Sequence, residues 1–132
     1  MQLVYKTNEP LQASDVVELF KSSGIKRPVD QPERIQKMLD HADLTISAWL
    51  GDKLVGIARA ITDFHYCCYL SDLAVSAEYQ KSGIGKALIN RVKEVIGEEV
   101  ALILLSAPTA MDYYPKVGFS KIENGFVIKR AR

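Results

Sequence analysis

The sequence predicts an α/β (α+β) fold, a mixed twisted sheet with helices on both faces, and three stretches support it. Residues 66–105 contain a β-prone run, a glycine-bearing turn, an amphipathic helix and a second apolar run, which is the order of a right-handed βαβ unit. Two apolar runs around residues 51–53 predict one hairpin, and Asn124-Gly125 predicts another. The complete order, β-α-α-β-β-β-α-β-α-β-β, gives a sheet of about seven strands with four helices.

The N-terminal part of the chain is predicted to form one strand and two helices. Residues 2–6 make the short first strand. Ser14 is predicted as the N-cap of the first helix, which ends at Gly24. Pro32 suits the first turn of the second helix, because the N–H group that proline lacks has no intrahelical acceptor there. The buried stripe of that helix is predicted to contain Ile35, Met38 and Leu39.

The later elements follow from apolar runs and their spacing. The remaining predicted strands are residues 44–50, 54–61, 66–75, 101–105, 119–122 and 126–129. The run at 101–105 is apolar throughout, which suits a strand that is buried on both faces and parallel to its neighbour. Apolar residues recur near the 3.6-residue period from 84 to 96, which predicts a helix. A short helix from Pro108 to about residue 117 completes the prediction.

Length and composition indicate a single globular domain over residues 1–132, since a chain of this length buries one sizeable core. Hydrophobic residues make up 48% and charged residues 25%, which is typical of folded rather than disordered chains. A net charge of +1 without a basic cluster gives no reason to expect a nucleic-acid partner. The first ten residues lack the pattern of a signal peptide, and no apolar run approaches the roughly 20 residues of a membrane span. We therefore expect a cytoplasmic protein with no membrane partner.

The two cysteines, Cys67 and Cys68, are adjacent in the sequence. Neighbouring residues of a strand point to opposite faces, so we expect no disulfide between them. Adjacent cysteines also lack the spacing of metal ligands, and no metal is expected. Both are predicted to be reduced core residues.

The turn at residues 80–85, Q-K-S-G-I-G, has the features of an anion site. Free N–H groups and the helix dipole at the start of a helix favour a phosphate group. Two common phosphate motifs are excluded by spacing. Gly83 and Gly85 are too close for the P-loop pattern, and Leu88 stands where the dinucleotide fingerprint needs glycine. The alternative is a plain strand-to-helix turn with capping glycines.

Two segments together resemble the GCN5-related N-acetyltransferase (GNAT) superfamily. The first is Q-x-x-G-x-G at 80–85, preceded by D-L-A-V at 72–75; the second is A-x-x-Y-Y-P-K-V-G-F at 110–119. The resemblance covers residues 44–122 well and the earlier residues only by element order. It implies the GNAT acyl-CoA N-acyltransferase fold, with acetyl-CoA (coenzyme A) as cosubstrate. The tract at 55–63 is similar to a branch that includes serotonin N-acetyltransferase-like proteins, which is a hint about the acceptor.

The resemblance implies roles for individual residues. Tyr114 is expected to protonate the departing thiolate as general acid, and the alternative is that it packs the short helix. Asp72, a carboxylate inside an apolar strand beside the presumed acetyl site, is the candidate base. The alternatives are that Asp72 anchors a basic residue or neighbouring backbone, and that His65 or water accepts the proton. The residues expected to hold the cosubstrate are Leu73, Ala74, Val75, Gln80, Lys81, Ser82, Gly83, Ile84, Gly85 and Lys86.

Two positions depart from the family pattern. Histone-type members carry glutamate where Tyr69 stands, so their base is absent. Many members carry asparagine where Ala107 stands, and its polar contact is either replaced by Ser106 or lost. The loop at 24–30 is expected to roof the acceptor. Pocket lining or core packing is expected for the aromatic residues Trp49, Phe64, Tyr66 and Tyr69.

These observations predict an N-acetyltransferase that moves an acetyl group from acetyl-CoA to a primary amine of a small molecule. One alternative is a protein or peptide N-acetyltransferase. The other is a non-catalytic acyl-CoA-binding sensor. A small-molecule amine is the expected partner, and a homodimer is left open.

Overall fold

The structure, a computed structural model, describes residues 2–132 and contains one five-stranded sheet with helices on both faces. The strands are β1 (Val4–Thr7), β2 (Leu44–Leu50), β3 (Lys53–Thr62), β4 (Cys67–Val75) and β5 (Ala101–Ile103). The α-helices are α1 (Ala13–Ser23), α2 (Pro32–Asp40), α3 (Ile84–Ile96) and α4 (Tyr113–Lys116). β1 to β4 are antiparallel neighbours in chain order, and β5 is parallel to β4. The predicted mixed sheet with four helices is confirmed.

The sheet has two cores because helices cover both of its faces. On one face, α3 contributes Leu88 and Val92, which pack with buried residues of β2, β3 and β4. Gly56 of β3 lies beneath this helix, and a Cβ there would lie 3.0 Å from Ile84 Cγ2. The missing side chain therefore lets α3 approach the sheet closely. The core of the other face contains Val16, Leu19, Phe20, Ile35, Leu54, Ile57 and Ala74.

A β-bulge changes the face that β4 presents to the cores. Asp72 lies opposite Arg59, and the register shifts after Arg59 so that Ser71 is an extra residue of β4. Before the bulge, Leu70 packs in the core under α3; after it, Ala74 packs in the core under α1 and α2. Bulges re-aim side chains near functional sites. This one turns Asp72 towards the loop that joins α1 and α2.

The predicted N-cap of the first helix is wrong. α1 begins at Ala13 with Gln12 as its N-cap, and Ser14 lies inside the helix. The N–H of Ala13 donates to the side-chain oxygen of Gln36 on α2, at 2.9 Å. Gln36 of α2 thus accepts a hydrogen bond from a first-turn N–H group of α1, as the side chain of an N-cap residue does in other helices. Gly24 follows the helix with φ of 82°, which confirms the predicted end.

The two strands predicted at 119–122 and 126–129 are wrong, because the sheet has five strands rather than about seven and ends at β5. Phe119 packs against the core, but the apolar side chains that follow it are exposed, and Phe126 and Ile128 are each 99% exposed. An isolated two-stranded hairpin is marginally stable in water. The Asn124-Gly125 signal therefore does not suffice to form a hairpin without a surface to pack on.

The remaining expectations concern the two cysteines, membrane-spanning helices and metal ligands. Both thiols are free, but only Cys68 is buried; Cys67 is exposed, so its predicted core position is wrong. Within residues 2–132, no helix has the length and apolar character that crossing a membrane requires. The same part of the chain has no group of three or more His, Cys, Asp or Glu side chains that would hold a metal ion.

Candidate active site

A cavity of about 940 Å³ opens where β4 and β5 separate, a size that suits a bound small molecule. The two strands pair only from Cys67–Ala101 to Tyr69–Ile103. Residues 104–107 then leave the sheet and line one side of the cavity, so the strand predicted at 101–105 ends early. The opposite side is formed by the edge of β4, residues 69–71 and 73–75.

The glycine-bearing turn begins at one end of this cavity, where Gln80 is a lining residue. Lys81 and Gly83 have positive φ angles of 67° and 89°. Gly83 is the N-cap of α3, and the N–H of Ala87 donates to its carbonyl at 3.0 Å. The N–H groups of residues 84–86 precede this first helical bond and have no acceptor within the helix. The turn therefore presents main-chain donors at the positive end of the helix dipole.

The two glycines of the turn have different surroundings. Apart from Gly83 itself and its two neighbours in the chain, no atom of residues 2–132 lies within 4 Å of a Cβ built on Gly83, so there is open space beside the main-chain donors. A Cβ on Gly85 would lie 2.7 Å from the hydroxyl oxygen of Tyr113. Gly85 thus makes room for a side chain of the protein itself. A phosphate group fits at Gly83, whose positive φ also favours glycine.

Gln80 fastens the turn to the end of β4. Its side-chain nitrogen donates to the carbonyls of Val75, at 3.0 Å, and Ser23, at 3.4 Å. The hydroxyl of Ser22 lies 3.0 Å from the hydroxyl of Ser76 and accepts a hydrogen bond from the N–H of residue 77. The last turn of α1 therefore fixes the point where β4 enters the turn.

Tyr114 of α4 lines the cavity opposite β4. Its ring makes edge contacts with Tyr113 and Phe119, with centroid distances of 5.2 and 5.5 Å, so packing fixes its position. Burial raises the pKa of the Tyr114 phenol above its ordinary value of 10.0; Tyr113 raises it further and Arg27 opposes the rise. The phenol therefore keeps its proton at neutral pH and can donate it.

Asp72 is fully buried between two arginines. Its Oδ1 accepts a hydrogen bond from Arg27 Nε at 2.6 Å, and its Oδ2 accepts a short one from Arg59 Nε. Arg27 also donates to the carbonyl of Ser71 at 2.7 Å, and Arg59 donates to the Ser71 hydroxyl at 2.9 Å. Both carboxylate oxygens face guanidinium groups, and Asp72 is absent from the lining of the cavity. This geometry favours the alternative that Asp72 anchors basic residues.

The structure brings five of the predicted site residues to the cavity wall. They are Leu73, Ala74, Val75, Gln80 and Tyr114. The rest of the turn, residues 81–86, lies beside the cavity rather than in its wall. The side chain of Ile84 is buried in the core, so only its main chain is available to a ligand.

Other predicted candidates lie elsewhere. Of the four aromatic residues considered for the acceptor pocket, Tyr69 lines the cavity. Trp49 packs against the core under α1 and α2, and Phe64 and Tyr66 are exposed at the turn before β4. His65 is exposed at the same turn, where Asp63 Oδ1 accepts its N–H at 2.9 Å.

Three basic residues of the cavity wall escaped the sequence reasoning: Arg34, Arg59 and Arg130. For Arg59 a signal existed, because it is a charged residue in the middle of the apolar strand 54–61. A buried arginine needs an anionic partner, so an arginine at this position predicts a buried carboxylate elsewhere in the chain. Arg34 and Arg130 carry no such signal. Residues 24–28 of the loop predicted to roof the acceptor line the cavity, together with Ser23.

Comparison with known proteins gives one family. Residues 16–130 match the model of the acetyltransferase (GNAT) domain. The solved structure of a probable acetyltransferase of unknown function from meticillin-resistant Staphylococcus aureus superposes with a TM-score of 0.84 and 24% identity. The superposition covers 98% of this chain and 100% of that one, so the two share a fold.

Two curated relatives extend over most of the chain. An uncharacterized N-acetyltransferase, ycf52, of Pyropia yezoensis is 28% identical over 126 residues, which is 90% of this chain and 71% of the relative. Serotonin N-acetyltransferase 2, chloroplastic, of Oryza sativa subsp. japonica is 29% identical over 126 residues, covering 89% of this chain and 60% of the relative.

Proposed function

The chain belongs to the GNAT family of N-acetyltransferases, and from this premise we propose that it moves the acetyl group of acetyl-CoA to a primary amine of a small molecule. The observation that carries the proposal is one cavity with three parts. The turn at 80–85 begins in its wall with Gln80, the protonated Tyr114 lies in the wall, and the loop at 23–28 lines it as well. Transfer between two bound substrates needs both held in one water-poor space.

The turn at 80–85 is the proposed site for the diphosphate of acetyl-CoA. The open space at Gly83 and the N–H groups of residues 84–86 suit phosphate oxygens, and Lys81 and Lys86 add positive charge. Leu73 and Ala74 at the edge of β4 would hold the acyl arm by main-chain hydrogen bonds. Bound acetyl-CoA supplies a thioester, whose carbonyl carbon the amine attacks.

Tyr114 is the proposed general acid. The amine displaces coenzyme A as a thiolate, which leaves more easily when a donor protonates the sulfur. Tyr114 has the required proton at neutral pH, because burial raises the pKa of its phenol. Edge contacts with Tyr113 and Phe119 also hold its ring in place.

A base must also take the proton from the amine, and the candidates are Asp72, His65 and water. Asp72 stays a prediction as base, but its two oxygens already accept hydrogen bonds from Arg27 and Arg59. His65 lies outside the cavity wall. We therefore favour transfer through water, with Asp72 as a positioning residue that holds Arg27 over the cavity.

The small-molecule acceptor is supported by two segments that border the site. The loop at 23–28 and residues 104–110 cover the cavity from two sides. The rice relative is described as a serotonin N-acetyltransferase, which is consistent with a small amine. The sensor alternative leaves the partly buried phenol of Tyr114 without a use.

A panel assay tests the proposal and separates the alternatives. The protein is incubated with acetyl-CoA and small amines or short peptides, and release of free thiol is followed. We expect turnover with a small amine. Turnover with peptides alone would favour the peptide alternative, and coenzyme A binding without any turnover would favour the sensor.

A homodimer is a further proposal. β5 is the last strand of the sheet, so one of its edges has no neighbouring strand among residues 2–132. Free strand edges pair with other chains, and Ile103 on this strand is 43% exposed. Sedimentation analysis across a concentration series checks it, and a monomer throughout would contradict it.

The cellular compartment also stays a proposal. The sequence favours the cytoplasm, whereas the rice relative is described as chloroplastic. Fractionation of the source cells with an antibody to the chain decides between a cytosolic and an organellar location.

A further inference from the structure

The wall of the cavity is strongly basic. Five of its lining residues are Lys26, Arg27, Arg34, Arg59 and Arg130. None of the lining residues, all of which belong to the described part of the chain, is aspartate or glutamate. The carboxylate of Asp72 beneath the wall neutralises one charge of the Arg27 and Arg59 pair, and Arg34 donates to the main-chain oxygen of Arg132. A net positive field therefore remains over the acceptor half of the cavity.

These charges lie away from the turn that receives the diphosphate. Arg27 and Arg59 both bond to Ser71, which precedes Val75 by four residues of β4. Four residues of an extended strand span roughly 13 Å. The phosphate turn begins only after Val75, at Gln80. The basic groups at Ser71 thus serve the acceptor side of the thioester rather than the diphosphate.

Arg27 retains donors for a ligand. A guanidinium has five N–H groups. Three contacts are formed within the protein: Nε to Asp72, Nη1 to the carbonyl of Lys26 at 2.5 Å and Nη2 to the carbonyl of Ser71. The two N–H groups that remain belong to a side chain that is 23% exposed and lines the cavity. Since Asp72 holds Arg27 in place, these donors are pre-organised.

We infer that the acetyl acceptor is an anionic amine, a molecule with a carboxylate or phosphate group that binds Arg27 and Lys26 while its amine points to the thioester. The inference rests on the proposed function and names its substrate class. Guanidinium groups bind carboxylates and phosphates through paired hydrogen bonds. The same wall repels acceptors with several positive charges, because no carboxylate of the lining would neutralise them.

Matched pairs of amines test the inference. Each pair differs by one anionic group: tyramine against tyrosine for carboxylate, and ethanolamine against phosphoethanolamine for phosphate. Dissociation constants are measured by calorimetry on protein saturated with coenzyme A, at a fixed ionic strength of about 0.1 M because salt screens such contacts. We expect the anionic member of at least one pair to bind about tenfold or more tightly, the scale of a hydrogen bond to a charged group.

Three variants locate the effect. Arg27→Gln removes the donors and is expected to bring the affinity ratio of the preferred pair close to one. Because Arg27→Gln also removes a partner of Asp72, Lys26→Glu serves as a second variant. The Lys26 side chain is exposed, so this change reverses a charge of the wall with little risk to folding. Lys37→Gln is the matched control, an exposed basic residue of α2 outside the cavity wall, and it should leave the ratio unchanged.

The outcomes separate this inference from the proposed function. Preference in the carboxylate pair or in the phosphate pair supports the inference and identifies the group. Equal or weaker binding of both anionic members overturns it, as does a preference that survives both Arg27→Gln and Lys26→Glu. Thiol release from acetyl-CoA is measured separately, and its failure would overturn the proposed transfer while the binding ratio still decides the acceptor class.

Discussion

The two ends of the cavity are built from different kinds of chemical group. At the α3 end, main-chain N–H groups of residues 84–86 lie beside the open space at Gly83. At the proposed acceptor end are the side chains of Arg27 and Arg59, which one buried carboxylate holds in place. All the groups of the first end come from one short stretch of sequence, the turn at 80–85 and the first residues of α3. The second joins Asp72 to arginines that are 45 and 13 positions away in the sequence.

This difference predicts which property of the protein a mutation impairs at each end. A site made of main-chain donors tolerates changes of side chain around it but not a new side chain in its open space. A site made of buried charges depends on the pairing of opposite charges, because removal of one partner leaves the other charge buried and unpaired. Mutations should therefore reduce ligand affinity at the first end and fold stability at the second.

The largest effect is expected for Gly83→Asp. The substitution places a carboxylate in the open space where phosphate oxygens would bind. We expect coenzyme A affinity to fall at least about 1,000-fold, roughly 4 kcal/mol, because charge-assisted hydrogen bonds are replaced by repulsion. Calorimetry with coenzyme A measures the loss.

Gly51→Asp is the matched control for that variant. Gly51 lies in the turn between β2 and β3, outside the cavity wall, and like Gly83 it has a positive φ and open space around it. Both variants therefore place a side chain at a backbone position of positive φ. Unchanged coenzyme A affinity in folded Gly83→Asp would refute the assignment of the turn, and an equal loss in both variants would attribute the effect to strain.

The next effect is expected at the acceptor end. Asp72→Asn keeps the shape of the side chain but leaves Arg27 and Arg59 without their anion. We expect a loss of about 3–5 kcal/mol in the free energy of unfolding, the cost of breaking a buried ion pair. Urea denaturation measures it. Ser71→Ala is the control, since it removes one hydrogen bond to Arg59, worth about 0.5–1.5 kcal/mol.

The same variant decides the role of Asp72. If the residue positions Arg27, the folded fraction of Asp72→Asn keeps the pH profile of kcat/KM while its stability falls. If it is the base, the acidic limb of that profile disappears. Full stability together with a lost acidic limb would contradict the anchoring role that the hydrogen bonds indicate.

The contrast between the ends also explains how much the sequence revealed. The turn and α3 are local features, and the helix was predicted with its observed bounds from glycine spacing and apolar periodicity. The strand bounds of β2 were likewise correct. The bulge at Ser71 left no local signal, and it decides which face Asp72 occupies. The partnership of Asp72 with Arg27 therefore required the three-dimensional structure.

The C-terminal segment shows that a strong local signal can predict an element that does not form. Asn124-Gly125 is a strong local signal for a hairpin. The hairpin does not form, because the apolar side chains of its second predicted strand, such as Phe126 and Ile128, have no surface to pack on. A local signal is thus sufficient at the α3 end, where tertiary packing agrees with it, and insufficient here.

Tyr114→Phe measures the chemistry between the two ends. The substitution keeps the ring contacts with Tyr113 and Phe119 and removes only the hydroxyl. We expect kcat to fall about 100-fold, the scale of acid catalysis, with coenzyme A affinity little changed. Tyr113→Phe is the control, because its hydroxyl lies at Gly85. A wild-type kcat in Tyr114→Phe would return this residue to a packing role.

The pH dependence gives an independent check on Tyr114. A general acid works while it is protonated, and burial raises the pKa of this phenol above 10.0. The contribution of Tyr114 to kcat should therefore persist through neutral pH and fade only as pH rises beyond the ordinary tyrosine range. A fall in kcat between pH 7 and pH 9 that Tyr114→Phe abolishes would contradict this assignment.

The smallest effect is expected for Gln80→Ala, at the junction of the two ends. Gln80 lies at the surface and ties the turn to Val75 and Ser23 through its side-chain nitrogen. Loss of neutral, exposed hydrogen bonds costs about 0.5–1.5 kcal/mol at most. If that cost falls on the ordering of the turn, the dissociation constant of coenzyme A rises about threefold to tenfold, and calorimetry detects it. Gln31→Ala, an exposed glutamine before α2, is the control. An unchanged dissociation constant would mean that the left-handed residues Lys81 and Gly83 hold the turn without help. The main-chain end of the cavity would then be independent of side chains altogether.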